Sequence, residues 1–171
     1  MRTILLIVLW LAILLVDGLV MPALFHIRES FLVFVFLCAL VVVYGEQSWL
    51  IWRGLLLAVA TELFLGLSIG TVVIGFLAAA GTWHALTRFI NLKPLLEEAS
   101  WLSPLHCAVG LGLLAMCVIA AAGAQAIFYA ANPLPILFQF AISPAFIFQA
   151  VTAIAVCLFI LTRFKPTMHD W

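Results

Sequence analysis

Long apolar segments separated by short polar breaks run through almost the whole chain and restrict its possible folds more than any motif does. A bilayer core of about 30 Å takes about 20 helical residues to cross. Divided at its polar breaks, the sequence contains six segments near this length, which we predict to be transmembrane helices: 4–24, 27–45, 49–67, 70–90, 104–131 and 136–162. The predicted fold is an all-α polytopic membrane protein, a bundle of about six helices.

Composition also indicates a lipid environment. Hydrophobic residues make up 68% of the chain and charged residues 8%, against roughly 45–50% and 25% in soluble domains. No polar stretch is long enough for a separate soluble domain, so we expect residues 1–171 to form a single transmembrane domain. The net charge of zero leaves no basic surface for nucleic acid, and we expect no such partner.

The first segment starts with Met1 and Arg2 and continues as an apolar run, which is also the pattern of a signal peptide. Residues 19–23 contain no convincing small-x-small cleavage site. We therefore expect an uncleaved first span.

The basic residues indicate an orientation. In a six-span arrangement one side of the membrane carries nearly all of them: Arg2, Arg53, Arg88, Lys93, Arg163 and Lys165. Arg28 alone falls on the other side. Because basic residues in short loops stay cytoplasmic, we expect both termini in the cytoplasm, and five or seven spans would scatter this bias.

One carboxylate, Glu62, lies inside an apolar helical segment that is closed by Gly66 and Gly70. An ionised side chain in hydrocarbon costs at least roughly 2.5–3.5 kcal/mol, so Glu62 must be protonated, paired or hydrated. The closely spaced glycines predict a tight turn that folds the third and fourth spans into an antiparallel hairpin. Glu62 is therefore the first candidate for a functional residue.

The depth of Glu62 follows from helix geometry, since 1.5 Å per residue places it about 13 Å beyond Arg53, in the outer half of the third span. Other polar side chains also fall near the outer ends of their spans: Asp17, Gln125 and Gln139. Arg28 lies in the first outer connection and is a candidate counter-ion for Asp17 or Glu62.

The residues needed for catalysis or metal binding do not come together in the sequence. The serines have no neighbouring histidine and acid, and the histidines lack an HExxH-like spacing. The cysteines stand singly in apolar runs: Cys38, Cys107, Cys117 and Cys157. We expect no enzymatic activity, cofactor or metal, and we expect His84 and His106, near helix ends, to be interfacial residues.

Small residues mark where membrane helices approach closely. Gly75 and Ala79 in the fourth span, and Ala120 and Ala124 in the fifth, form small-xxx-small pairs. We expect these two spans to be central to packing.

Several features follow one another between residues 31 and 90: a polar turn before an apolar run, Arg53-Gly54, Glu62, Gly66, Gly70, Thr71, and a segment from Trp83 to Arg88. In this order they resemble the rod shape-determining MreD family of small bacterial inner-membrane proteins. Glu62 takes the position where that family usually has Asp, Gly66 and Gly70 match its turn, and Thr71 follows as it often does. The additional methylene of Glu62 is the main departure.

The resemblance implies a non-enzymatic scaffold in the bacterial cytoplasmic membrane that serves cell elongation, cell shape and peptidoglycan synthesis. Its implied partners are the lipid bilayer, an MreC-like bitopic protein, an MreB-like filament and peptidoglycan synthases. The candidate structural or partner-binding residues are Glu62, Gly66, Gly70, Arg28, Asp17 and Arg53.

The alternative is a substrate-binding subunit of an energy-coupling-factor-type vitamin transporter, a class thought to share the MreD fold. Such a subunit needs an outward pocket with convergent polar groups. It should also have an alanine-rich docking helix near the N-terminus, where this chain has only Ala12 within its first apolar run. A scaffold should instead let its polar groups satisfy one another. The sequence favours the scaffold, and it leaves open a structural subunit of an unrelated complex.

Overall fold

The computed structural model describes residues 2–20, 31–45, 47, 49–89, 104–129 and 144–163, which are almost entirely helical. They form six α-helices: α1 (Arg2–Leu15), α2 (Phe31–Tyr44), α3 (Trp49–Leu65), α4 (Thr71–Phe89), α5 (Pro104–Tyr129) and α6 (Pro144–Arg163). A π-helical segment, Val16–Val20, continues α1. The all-helical prediction is confirmed for this part of the chain, which contains no strand.

Each predicted segment contains one helix, and the breaks agree closely where they are described. The helix α4 begins and ends within one residue of the predicted segment 70–90, and α3 ends two residues before its predicted limit. The start of the second predicted segment, residues 27–30, and the start of the sixth, residues 136–143, lie outside the described residues. Within the described ranges, two helices, α4 and α5, are long and apolar enough to cross a membrane.

The most enclosed helix is α2, which packs against all five other helices. Every side chain of α2 from Val35 to Tyr44 is buried, and Phe36, Leu37 and Leu40 are completely so. A helix that is apolar on all sides belongs in such a position. The helices α4 and α5 also pack closely, as the small residues predict, but the small-residue pattern does not identify α2 as the centre.

The helices α1 and α3 run in the same direction. The indole Nε1 of Trp10 donates a hydrogen bond to Oγ1 of Thr61 at 3.1 Å, and Gly18, further along α1, lies against Leu65, further along α3. Thr61 in turn donates to the carbonyl of Leu57 at 2.8 Å. This polar contact therefore joins two mostly apolar helices.

The helices α2 and α4 also run parallel to each other, and opposite to α3. Gly75 near the start of α4 lies against Phe34 near the start of α2, and Trp83 in the later part of α4 covers Gly45 at the end of α2. One end of the bundle therefore contains Asp17, Glu62 and the turn 66–70, and we call it the carboxylate end. The turn after α2, where Gly45 and Gln47 are described, lies at the opposite end.

Candidate functional site

The carboxylate of Glu62 accepts three hydrogen bonds from backbone amides at the start of α4. Oε2 accepts from Gly70 at 2.8 Å, and Oε1 accepts from Val72 at 2.7 Å and Val73 at 3.0 Å. The side chain is only 3% exposed. Both oxygens are thus satisfied without a cation, and Glu62 is paired with peptide dipoles.

These three bonds make Glu62 a helix cap supplied by the preceding helix. The carbonyl of Gly70 accepts from the amide of Ile74 at 2.9 Å, which makes Gly70 the N-cap residue of α4. Normally the N-cap side chain accepts from the second or third amide of its helix, but glycine has no side chain to do so. Glu62 takes that role, and the positive end of the α4 dipole favours its negative charge.

The backbone of Glu62 also ends α3. Its carbonyl accepts a hydrogen bond from the amide of Leu67 at 3.0 Å, while Gly66 adopts a φ of 63°. This is the Schellman arrangement of a helix C-terminus, with glycine in the left-handed position. Gly70, with a φ of 95°, also lies where side-chain-bearing residues are strained. The predicted tight hairpin is confirmed. Glu62 ends α3 through its backbone carbonyl and caps α4 through its side chain.

Tyr129, at the end of α5, ties that helix to the same turn. Its hydroxyl donates to the carbonyl of Ile69 at 2.9 Å. The two residues are 60 positions apart, and the sequence carries no signal that would connect them.

Asp17 has the same relation to α2 that Glu62 has to α4. Its Oδ2 accepts a hydrogen bond from the amide of Val33, in the first turn of α2, at 3.1 Å. The side chain is 4% exposed, and its Oδ1 has no hydrogen-bond partner among the described residues. Two buried carboxylates thus cap two helix N-termini at the carboxylate end.

The remaining predicted site residues do not join this cluster in the described structure. Arg28, the expected counter-ion, and Gln139 lie outside the described residues. Arg53 is exposed two turns or more before Glu62 on α3, and its guanidinium carbon lies 4.7 Å from the centre of the Trp49 ring, a cation–π contact. Gln125 is half-buried on α5.

A groove of about 240 Å³ runs between α1 and the end of α3. Its lining is apolar throughout: Leu11, Leu14, Leu15, Gly18, Leu19, Phe64 and Leu65. Neither carboxylate lines it, so it does not offer the convergent polar groups that an orientation-specific ligand site needs.

The histidines do not form a metal site in the part of the chain that is described, where no three potential ligands lie together. His84 is exposed near the end of α4, as expected of an interfacial residue. His106, in contrast, is completely buried in the first turns of α5. The packing of α5 against its neighbours, which the position near a helix end does not reveal, covers it.

No protein-family model, curated protein or solved structure matches this chain. The resemblance to the MreD family therefore stays a prediction from the residues that carry it. The geometry at the carboxylate end is the remaining guide to function.

Proposed function

We propose that this chain is a six-span protein of the bacterial cytoplasmic membrane, with both termini in the cytoplasm, and that it acts as a non-enzymatic scaffold subunit resembling MreD. In this role it holds membrane partners of the cell-elongation and peptidoglycan-synthesis machinery together. The proposed partners are an MreC-like bitopic protein, an MreB-like filament and peptidoglycan synthases.

The distribution of exposed apolar side chains supports the membrane location. Large hydrophobic residues are exposed on α1, α3, α4, α5 and α6, as with Leu56, which is 70% exposed, and Phe89. Soluble monomers rarely expose contiguous apolar surface on this scale. The central helix α2 spans only 14 residues, about 21 Å at 1.5 Å per residue. Because the other helices surround it, α2 does not have to match the thickness of the lipid.

The main support for the scaffold proposal is that the carboxylates of Glu62 and Asp17 accept hydrogen bonds from backbone amides. A capture subunit needs polar groups that are free to meet a ligand. Here both oxygens of Glu62 are occupied by backbone amides, and Asp17 binds the first turn of α2. Among the described residues, the two carboxylates at this depth therefore bind backbone amides of the bundle, which suits a scaffold.

The exposed face of α1 also favours the scaffold over the transporter subunit. It presents large side chains, among them Ile4, Val8 and Leu15, where close helix docking would require small ones. An ATP-binding-cassette module that docks against an alanine-rich helix would find no such surface on α1.

The test is a mild-detergent pull-down of the tagged protein from its native host, with the co-purifying proteins identified. Recovery of an MreC-like protein with an MreB-like filament supports the scaffold. Recovery of an ATP-binding-cassette pair rejects it in favour of a transporter subunit, and recovery of neither group also counts against it.

A matched variant connects the pull-down to the site. Glu62→Gln keeps the size of the side chain but removes its charge. It also replaces one accepting oxygen by an NH2 group, which cannot accept a hydrogen bond from the backbone amides. We expect reduced recovery of the partners with Glu62→Gln and unchanged recovery with Leu63→Ala, at the exposed neighbouring residue.

A further inference from the structure

The turn 66–70 has an unusually apolar tip for a connection between two helices. It contains no charged residue, and Ile69 is 75% exposed. More exposed apolar side chains lie beside it at the carboxylate end: Leu63 and Phe64 on α3, and Ile127 and Phe128 on α5. A turn in water would place such residues in the solvent at a cost, so the surface needs an apolar cover.

The amides at the start of α4 are also satisfied without water. Five successive amides, from residues 70 to 74, all donate hydrogen bonds within the protein, three of them to Glu62. In solvent, water satisfies the first amides of a helix. In hydrocarbon no water is available, and each unsatisfied group costs several kcal/mol. The carbonyl of Ile69 is satisfied as well, by Tyr129.

The opposite turn, at residues 45–48, shows the contrast. It reads Gly-Glu-Gln-Ser, and the amide of Gln47 donates to the carbonyl of Tyr44 at 2.9 Å. This polar sequence is suited to water, and its closing hydrogen bond is an ordinary turn contact. The two turns of the described chain therefore differ as a lipid-facing and a water-facing connection would.

Helix length agrees with this difference. The helix α3 has 17 residues, about 25 Å at 1.5 Å per residue, which is less than the bilayer core of about 30 Å. With its Arg53 end near one surface, the helix cannot carry its other end past the opposite headgroups. A shallow hairpin is accommodated by local thinning of the bilayer.

We infer that the turn 66–70 lies at the boundary between acyl chains and headgroups, and that phospholipid covers Ile69. The inference rests on the membrane location in the proposed function, but not on the scaffold role. It assigns the buried Glu62 cap a reason: the cap takes the place of water at the first amides of α4.

The test places an environment-sensitive NBD probe on single cysteines in the full chain, reconstituted in phosphatidylcholine vesicles. The variants are Ile69→Cys at the turn, Leu56→Cys as the lipid-facing control and Gln47→Cys as the water-facing control. Cys107 and Cys157 are replaced by alanine, while Cys38 and Cys117 are buried in the core. The protein without an introduced cysteine measures background labelling.

Two quenchers then report what covers each probe: nitroxide-labelled lipids and aqueous iodide. We expect the Ile69→Cys probe to lose emission mainly to nitroxides near the headgroup, with a blue-shifted spectrum relative to Gln47→Cys. Quenching of this probe by iodide alone, or its protection from both quenchers, overturns the inference. If Leu56→Cys is not quenched by any lipid, the membrane location itself fails, and the two failures are thereby distinguished.

Discussion

Glu62 and Asp17 perform the same task at two places in the carboxylate end, and the difference between them shows what a buried acid contributes in an apolar bundle. Both are almost completely buried, at 3% and 4% exposure. Glu62 accepts three amide hydrogen bonds, whereas the one described for Asp17 comes from Val33 at 3.1 Å. At nearly equal burial, the two acids therefore differ in the hydrogen bonds that the described residues donate to them.

The cause of the difference is local geometry. Glu62 stands four residues before Gly66, and the tight turn brings the first amides of α4 back over its side chain. Its additional methylene gives it reach across the turn. Asp17 is shorter, lies in the π-helical segment after α1 and serves a helix whose capped amide is 16 residues away. Widened helical turns of this type often occur at functional sites.

The largest effect should come from Glu62→Ala. Three amides lose their acceptor, one in a buried and two in partly buried hydrogen bonds. At roughly 1 kcal/mol for each, the free energy of unfolding should fall by about 3 kcal/mol. The measurement is the loss of helical circular dichroism on titration of the detergent-solubilised protein with SDS. Leu63→Ala, on the exposed side of α3, is the control and should change stability by about 0.5 kcal/mol or less. A loss equal to that of the control would contradict the capping role.

Glu62→Asp separates charge from reach. The charge stays, but the side chain is one methylene shorter and cannot serve all three amides in the same backbone geometry. We expect a loss of about 1–2 kcal/mol, between the wild type and Glu62→Ala, in the same titration. A stability equal to that of the wild type would show that the charge near the α4 dipole matters and the individual hydrogen bonds do not.

Asp17→Ala is the direct comparison with Glu62→Ala. One described hydrogen bond is lost at the start of α2, and we expect a cost of about 1 kcal/mol, the typical effect of removing a cap. Exchange of the α2 amides with deuterium, measured by mass spectrometry, should rise for the first turn and not for α4. A loss as large as that of Glu62→Ala would mean that Asp17 holds more of the bundle than the start of α2.

Tyr129→Phe should have the smallest effect. It removes one hydroxyl that donates to the carbonyl of Ile69, and Tyr129 is half-exposed, so we expect a cost of about 0.5 kcal/mol. Faster amide exchange at residues 66–70 would report the loosened turn. Unchanged exchange there would show that the glycines and Glu62 suffice to hold it.

Much of the local structure could be predicted from individual residues. Gly66 and Gly70 marked the turn because only glycine readily adopts their positive φ angles. Glu62 stood out because a charge in an apolar helix demands a partner. The amide partners could not be predicted, because every residue except proline provides an amide. Arg28, the candidate partner by charge, lies outside the described residues.

The long-range arrangement of the helices could not be predicted either, because no local feature of the sequence identifies which residues meet. The segment of α2 has no charged residue, which agrees with its enclosed position, but which helices surround it depends on how all the segments pack. The contacts of Trp10 with Thr61 and of Tyr129 with Ile69 likewise join positions 51 and 60 residues apart. Periodicity and spacing thus established the helices, their breaks and the unusual acid, because these depend on neighbours in the chain. The centre of the bundle and the donors that satisfy each carboxylate depend on neighbours in space, and those exist only once the helices have packed.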